Sequence, residues 1–177
     1  MKRARHLTRR FFAALWPGRP AASDDAWVRT FVNPAEYEIW ARMANHDRRH
    51  SIGVARSVQV TLSGTAYADQ PEWLEAALLH DVGKLDSRLG IFGRVGATLA
   101  GWAAGHDMAD VWSGKRGITR RVGLYLRHGE LGATRIRFVG GSESAARWAA
   151  AHHEPDTWSA TGIPTPVIEA LHAADDD

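Results

Sequence analysis

Cysteine is absent from this sequence of 177 residues. Its absence excludes a disulfide-stabilised scaffold, a thiolate nucleophile and any zinc or iron–sulfur site with cysteine ligands. It also fits a reducing compartment, so we expect a cytoplasmic protein. Nine histidines are left as the nitrogen ligands that a metal site would use.

Long hydrophobic runs are also missing. The longest apolar stretch, from Val95 to Gly105, has about a dozen residues against the ~20 that a membrane-spanning helix needs. We therefore predict no transmembrane helix. Strand signals are scarce too, because alternating stretches of β-branched residues hardly occur. Apolar residues instead recur at helical spacing, which predicts one all-α domain, a helical bundle over residues 33–177.

The first twenty residues carry six cations and no acid, which leaves the rest of the chain with a net charge of −4. We interpret residues 1–32 as a basic N-terminal arm. Within it, Phe11 to Trp16 is apolar and is followed by proline and glycine, so a short helix would end there. An export signal is disfavoured, because it needs an apolar run of about 7 to 15 residues. Two interpretations stay open: an amphipathic helix in which residues 1–16 contact an anionic membrane surface, and a frayed, solvated terminus.

Helix-start signals divide the helical domain. Asn33, Pro34 and Glu36 combine an N-cap, a first-turn proline and a third-position acid. The predicted helices run from 34 to about 43, from 48 to about 62 with Asp47 as cap, from Glu72 onward, through 122–126, from Ser142 to about His153, and from Thr165 onward. Residues 90–105 are rich in glycine and predict either one helix or a pair of turns.

Asp81 is the first candidate for a functional residue. It follows His80 and lies at i+7 from Leu74 and i+3 from Leu78, so helical spacing places it on a buried apolar stripe. Desolvating an unpaired carboxylate costs several kcal/mol, and a buried Asp therefore needs a cation, hydrogen-bond donors or a metal. Because the imidazole of the adjacent His80 is a common metal ligand, we interpret a metal as the partner of Asp81.

Two further residues break an apolar stripe in the same way. His50 lies on the same apolar stripe as Val54, one helical turn before it. The connection from this helix to the one that ends at His80 is short, so the two helices can lie antiparallel to each other. Asp175 follows Leu171 by one helical turn, which turns it toward the core and turns its acidic neighbours away. His50, His80, Asp81 and Asp175 thus form a two-imidazole, two-carboxylate set, which suits Mn, Fe, Mg or Zn with positions left for water.

These residues, in this order, resemble the HD superfamily of metal-dependent phosphohydrolases, which is all-helical. The most specific piece is the heptapeptide from Leu78 to Lys84, Leu-Leu-His-Asp-Val-Gly-Lys. The resemblance covers about residues 48–177. It implies one or two divalent ions and hydrolysis of a phosphate monoester or diester, with a phosphate-containing small molecule such as a nucleotide as substrate and no specific nucleic acid partner.

A second ion is implied by His128 and by the tandem His152 and His153, which resemble additional ligands of the HD-GYP subgroup. Asp81 would then bridge both ions, and His46 is a further candidate. Histidines at a helix end can instead serve as C-caps. The Gly-Tyr-Pro signature is missing after the tandem pair, and Gly83 and Lys84 stand where HD-type alarmone hydrolases carry an acidic pair. Hydrolysis of cyclic di-GMP, which the Gly-Tyr-Pro signature would imply, and hydrolysis of alarmones are therefore not supported.

The remaining candidate residues are cations. Lys84 lies one turn beyond His80 and is expected to act with Asp81 in catalysis by contacting phosphate oxygens, although a solvated helix-end role is open to it. Arg49 and Arg127 flank the expected ligands and are weaker candidates for binding phosphate. Two other function classes stay open: a non-catalytic module that binds a nucleotide or partner protein around a structural metal, and a di-iron oxygenase.

Overall fold

The computed structural model describes residues 18–105 and 108–176, and this part of the chain is all-α, as the sequence predicts. Its eleven α-helices are, in chain order, α1 Ala22–Val28, α2 Pro34–Ala41, α3 Asn45–Leu62, α4 Glu72–Leu79, α5 Lys84–Ser87, α6 Ile91–Ala104, α7 Met108–Ser113, α8 Gly117–Leu126, α9 His128–Phe138, α10 Glu143–Ala151 and α11 Thr165–Asp176. A 3₁₀ helix, Pro155–Ala160, connects α10 to α11.

Local signals explain where several helices begin. At α2 both halves of a capping box form, because the Asn33 side chain accepts from the Glu36 N–H while the Glu36 carboxylate accepts from the Asn33 N–H. Ser142 caps α10 by accepting from the Ala145 N–H. The predicted starts of α4 and α11 are confirmed, and residues 90–105 contain one helix, α6, rather than a pair of turns.

The hydrophobic core lies where α3, α4, α10 and α11 pack on one another. Its largest fully buried apolar side chains are Trp40, Trp148, Leu78, Leu79, Ile136 and Leu171. Two of them, Trp40 and Ile136, come from α2 and α9, which pack onto the same core. Full burial of one such aliphatic side chain is worth roughly 1.5–3 kcal/mol, so the core holds these helices together. The expected ligands lie on α3, α4, α10 and α11 or just after their ends, except His128, which is the first residue of α9.

The packing of the domain begins before residue 33. Val28, at the end of α1, and Val32 are buried and belong to the core cluster. Residues 1–17, which contain the predicted amphipathic segment, lie outside the described residues. No helix that the structure describes is long and apolar enough to cross a membrane.

The prediction that Asp47 caps α3 is wrong. The helix begins at Asn45, with Ala44 in the cap position, so Asp47 lies inside the first turn. Its carboxylate instead accepts hydrogen bonds of 2.6 and 2.8 Å from the Arg94 guanidinium of α6. Because Arg94 lies 47 residues further along the chain, no local pattern in the sequence signals this pair.

Candidate metal centre

Asp81 is buried, but not for the reason that its spacing suggests. The helix α4 ends at Leu79, so Asp81 lies in the turn between α4 and α5 rather than on the helical stripe of Leu74 and Leu78. It is nevertheless only 1% exposed, and so is His80. The turn is enclosed because α9 and α10 pack over it, which the local pattern does not reveal.

Three histidines at helix ends share one hydrogen-bonding arrangement. The Nδ1 atoms of His80, His128 and His152 lie 2.9, 2.7 and 2.8 Å from the backbone carbonyl oxygen three residues earlier in each case. We assign the Nδ1–H as the donor, which leaves the Nε2 lone pair of each ring as a ligand. The ends of α4, α8 and α10 therefore set the orientation of all three imidazoles.

The three Nε2 atoms converge on the Asp81 carboxylate. His80 Nε2 lies 3.4 Å from Oδ2, whereas His128 and His152 Nε2 lie 3.5 and 3.7 Å from Oδ1. A divalent ion holds its nitrogen and oxygen ligands at about 2.0–2.2 Å, which places neighbouring ligand atoms about 3 to 3.5 Å apart. The spacing thus suits ligation, and the two carboxylate oxygens face different histidines.

Four of these ligand atoms are buried without a hydrogen-bond partner among the described residues: Nε2 of His80, His128 and His152, and Oδ1 of Asp81. Each unsatisfied buried polar group costs about 1–3 kcal/mol, and native proteins keep few of them. Divalent ions would satisfy all four atoms together. The residues present therefore fit a metal centre.

The helices α3 and α11 bring His50 and Asp175 to the same cluster. His50 Nε2 lies 2.8 Å from Asp175 Oδ1, and the same oxygen is 3.6 Å from His80 Nε2. The ligand atoms of His50, His80 and Asp81 all lie within 4.8 Å of one another. On α11 the Asp175 side chain is 15% exposed, whereas that of Asp176 is 61% exposed. The structure thus brings together the four residues that the sequence singles out.

Charge in the cluster is organised around Asp81. Burial raises the pKa of its carboxyl, but the Lys84 ammonium, 2.5 Å from Oδ2, is the largest opposing effect, and the pKa lies well below 3.8. Burial lowers the pKa of Lys84 in turn, and the Asp81 carboxylate raises it above its ordinary value. At neutral pH Asp81 is therefore a carboxylate and Lys84 an ammonium.

His153 joins the cluster beside His128 and His152. Its ligand atom and those of His128 and His152 lie within 4.8 Å of one another. Its ring centroid is 3.9 Å from that of His152 and 5.0 Å from that of His128. All three histidines line a cavity of about 150 Å³. The set expected for a second ion therefore lies beside the first set, with Asp81 between them.

The two arginines that the sequence suggests for phosphate binding have other contacts. Arg127 lines the cavity, and its guanidinium lies 2.8 Å from Glu130, 3.0 Å from Asp110 and 3.2 Å from the Ser113 hydroxyl. The Arg49 guanidinium donates a hydrogen bond to the Gly18 carbonyl. The charge of Arg127 is thus shared with two carboxylates.

Sequence reasoning missed Arg94. Besides its two bonds to Asp47, its Nη1 lies 3.1 Å from His46 Nε2. Because arginine only donates, we assign His46 Nε2 as the acceptor, so this atom faces Arg94 rather than the Asp81 cluster. Arg94 therefore ties α6 to the first turn of α3, one turn before His50. Nothing in the sequence near Arg94 marks it, since its partners are distant along the chain.

Comparison with protein-family models, with curated proteins and with solved structures gives no match to this chain. The resemblance to the HD superfamily rests on the order of His50, His80, Asp81 and Asp175 and on the heptapeptide from Leu78 to Lys84.

Proposed function

We propose that this protein is a metal-dependent hydrolase of phosphate esters, of the HD type that its motif resembles. The observation that carries the proposal is the group of four buried ligand atoms without partners around Asp81. Mixed imidazole and carboxylate ligands suit Mn, Fe or Zn and, less closely, Mg. A cavity is lined by two of these histidines, His128 and His152, and by His153, which gives a substrate access to that side of the cluster.

The ligands divide into two overlapping sets. His50, His80, Asp81 and Asp175 would hold one ion, and His128, His152 and His153 would hold a second one, with the Asp81 carboxylate shared. When bound, such ions acidify water and neutralise charge that develops on a phosphoryl group in an in-line displacement.

Residues of the protein would orient the imidazole ligands and add positive charge to this site. Backbone carbonyls at the ends of α4, α8 and α10 fix three imidazoles, so their Nε2 atoms need no rearrangement on binding. The 2.8 Å contact between His50 Nε2 and Asp175 Oδ1 shows that α3 and α11 already place these two side chains next to each other. Lys84 would add a positive charge beside Asp81, where it could bind a phosphate oxygen as a point charge.

The test is metal content and turnover measured on the same preparations. The purified protein is stripped of metal, reloaded separately with Mn²⁺, Fe²⁺ and Zn²⁺, and analysed for metal per chain and for hydrolysis of p-nitrophenyl phosphate and bis(p-nitrophenyl) phosphate. We expect Asp81→Asn to lose both bound metal and turnover. Asp175→Asn should lower both, while the exposed neighbour gives the matched control, Asp176→Asn, which should behave as the wild type.

Two other results would point to the other functions considered. Bound metal without turnover on either ester or on a nucleotide panel would favour a non-catalytic binding module with a structural metal. Bound iron with turnover that requires dioxygen would favour a di-iron oxygenase. If the wild-type protein retains no metal from any of the three metal solutions, the hydrolase, the binding module with a structural metal and the di-iron oxygenase are all contradicted.

A further inference from the structure

The cavity beside the candidate metal centre has an acidic mouth and an imidazole wall. Among its lining residues are three carboxylates, Asp110, Glu130 and Glu154, and one guanidinium, Arg127. The Asp110 and Glu130 side chains are 75% and 65% exposed, which places them at the mouth. His128 and His152 are only 5% and 4% exposed, and they form the inner wall.

The inner wall of the cavity is part of the candidate metal centre. The Nε2 atoms of His128 and His152 are buried and have no hydrogen-bond partner among the described residues. These atoms belong to the proposed metal set, so the inner end of the cavity would be cationic once ions are bound. The mouth is anionic, because its carboxylates outnumber its guanidinium.

Arg127 does not reverse the charge at the mouth. Its Nε and Nη2 both donate to Glu130 Oε2, at 3.0 and 2.8 Å, and Nε also lies 3.0 Å from Asp110 Oδ1. Its Nη1 donates to the Ser113 hydroxyl. A guanidinium shared by two carboxylates offers little attraction to a further anion. A nucleoside polyphosphate in this cavity would therefore place negative charge against carboxylates.

Resting on the metal-dependent hydrolysis proposed above, we infer that the preferred substrate is an aminoalkyl phosphate, a small phosphate monoester whose alcohol part carries an ammonium group. Its phosphate would lie at the histidine wall and its ammonium at Asp110, Glu130 and Glu154. The cavity volume, about 150 Å³, suits a phosphate group with a short alkyl chain. A cavity of roughly that size encloses one benzene molecule, which gives the scale.

The reaction follows from the ester bond. Water adds to phosphorus and the bond between phosphorus and the ester oxygen breaks. One proton of the water ends on the departing oxygen, so the products are an amino alcohol and inorganic phosphate. No oxidant, reductant or second substrate is required.

The experiment compares four monoesters on the Mn²⁺-loaded protein: O-phosphoethanolamine, its neutral isostere propyl phosphate, the anionic phosphoglycolate and adenosine monophosphate. Both kcat/KM and the Kd from calorimetry are measured for each. An exposed ion pair contributes modestly, so we expect phosphoethanolamine to exceed propyl phosphate by about fivefold in either quantity. The ratio should fall toward one in 0.5 M salt, since salt screens exposed charges.

The double variant Asp110→Asn, Glu130→Gln tests the assignment of the mouth. It should abolish the preference for phosphoethanolamine and raise the relative affinity for phosphoglycolate, because Arg127 would lose both carboxylate partners. Glu143→Gln is the matched control, since the Glu143 carboxylate also binds arginine side chains but does not line the cavity. It should retain the wild-type preference.

The outcomes separate this inference from the proposed function. Hydrolysis of p-nitrophenyl phosphate with equal values for phosphoethanolamine and propyl phosphate would overturn the aminoalkyl preference and leave the hydrolase standing. A preference that the double variant does not change would overturn the role of the acidic mouth. If no ester is hydrolysed, the proposed hydrolase is contradicted, and the Kd values then test the binding preference alone: a fivefold ratio supports recognition of the ammonium group at the mouth, and equal Kd values overturn it.

Discussion

Gly83 and His128 touch through their backbones. A β-carbon added to Gly83 would lie 1.8 Å from the His128 carbonyl oxygen and 2.6 Å from the Gly132 nitrogen, closer than any real contact. The helix α9 therefore packs directly on the turn that carries His80 and Asp81. Glycine at position 83 is what allows His128 to approach Asp81 from that helix.

Gly83→Ala should consequently damage both the fold and the metal centre. Overpacking against backbone costs about 1–3 kcal/mol or more, so we expect a loss of about 3 kcal/mol in the free energy of unfolding and fewer metal ions per chain. Urea unfolding and elemental analysis measure the two effects. Gly53→Ala is the control, because Gly53 is exposed in the middle of α3 and an added β-carbon meets nothing within 4 Å. That change should stabilise the protein by about 0.5–1 kcal/mol, and equal stabilities for the two variants would contradict the packing argument.

Lys84 should stabilise the metal-free protein more than the metal-bound one. Its ammonium compensates the buried Asp81 carboxylate at 2.5 Å, and removing one partner of a buried ion pair costs about 3–5 kcal/mol. A divalent ion would compensate the same carboxylate. We therefore expect Lys84→Met to lower the melting temperature strongly in chelator and much less in saturating Mn²⁺. Thermal melts under both conditions, with Lys84→Arg beside them, give the comparison, and an equal loss in both would contradict it.

The pair of Asp47 and Arg94 should be a main anchor of α6. Their side chains are 7% and 14% exposed, and two hydrogen bonds join them. We expect Arg94→Met to cost about 3–5 kcal/mol of unfolding free energy, because Asp47 is left buried without its cation. The double variant Asp47→Leu, Arg94→Met should recover part of the loss. Glu143→Gln removes an acceptor from an exposed pair and should change stability far less. If the double variant loses as much unfolding free energy as Asp47→Leu and Arg94→Met lose when their separate losses are added, the two side chains are not coupled.

Features set by a few adjacent residues could be predicted from the sequence. The capping box at Asn33 and the cap at Ser142 depend on local preferences, and both are present. Strand formation depends on local preferences too, and residues 18–105 and 108–176 contain no strand. Asp175 could be distinguished from Asp176 because helical rotation separates them by about 100°.

Features set by contacts between distant segments could not be predicted. Asp47 matched a cap, but its partner lies on α6, so the local interpretation failed. The requirement for glycine at position 83 comes from α9, which follows 45 positions later at His128. The acidic mouth combines side chains from three segments, Asp110, Glu130 and Glu154, whose proximity no periodicity reveals.

Glu36 should make the stability of the protein fall as pH rises. It is 2% exposed, and burial, with the neighbouring Glu75 carboxyl, raises its pKa from 4.5 to about 8, although the Asn33 N–H opposes the shift. Between these values the folded state binds a proton that the unfolded state has lost. Stability from this group is thus fullest below pH 4.5, declines through the window from 4.5 to 8, and is constant above it.

Glu36→Gln tests that sign, because glutamine keeps the acceptor for the Asn33 N–H and removes the titration. Relative to the wild type, the variant should gain stability from pH 5 to pH 8.5 in urea unfolding. Glu38→Gln, an exposed change on the same helix, is the control and should run parallel to the wild type. If Glu36→Gln also runs parallel, Glu36 is ionised in the folded protein at pH 5, and the buried carboxyl is stabilised by hydrogen bonds rather than by a retained proton.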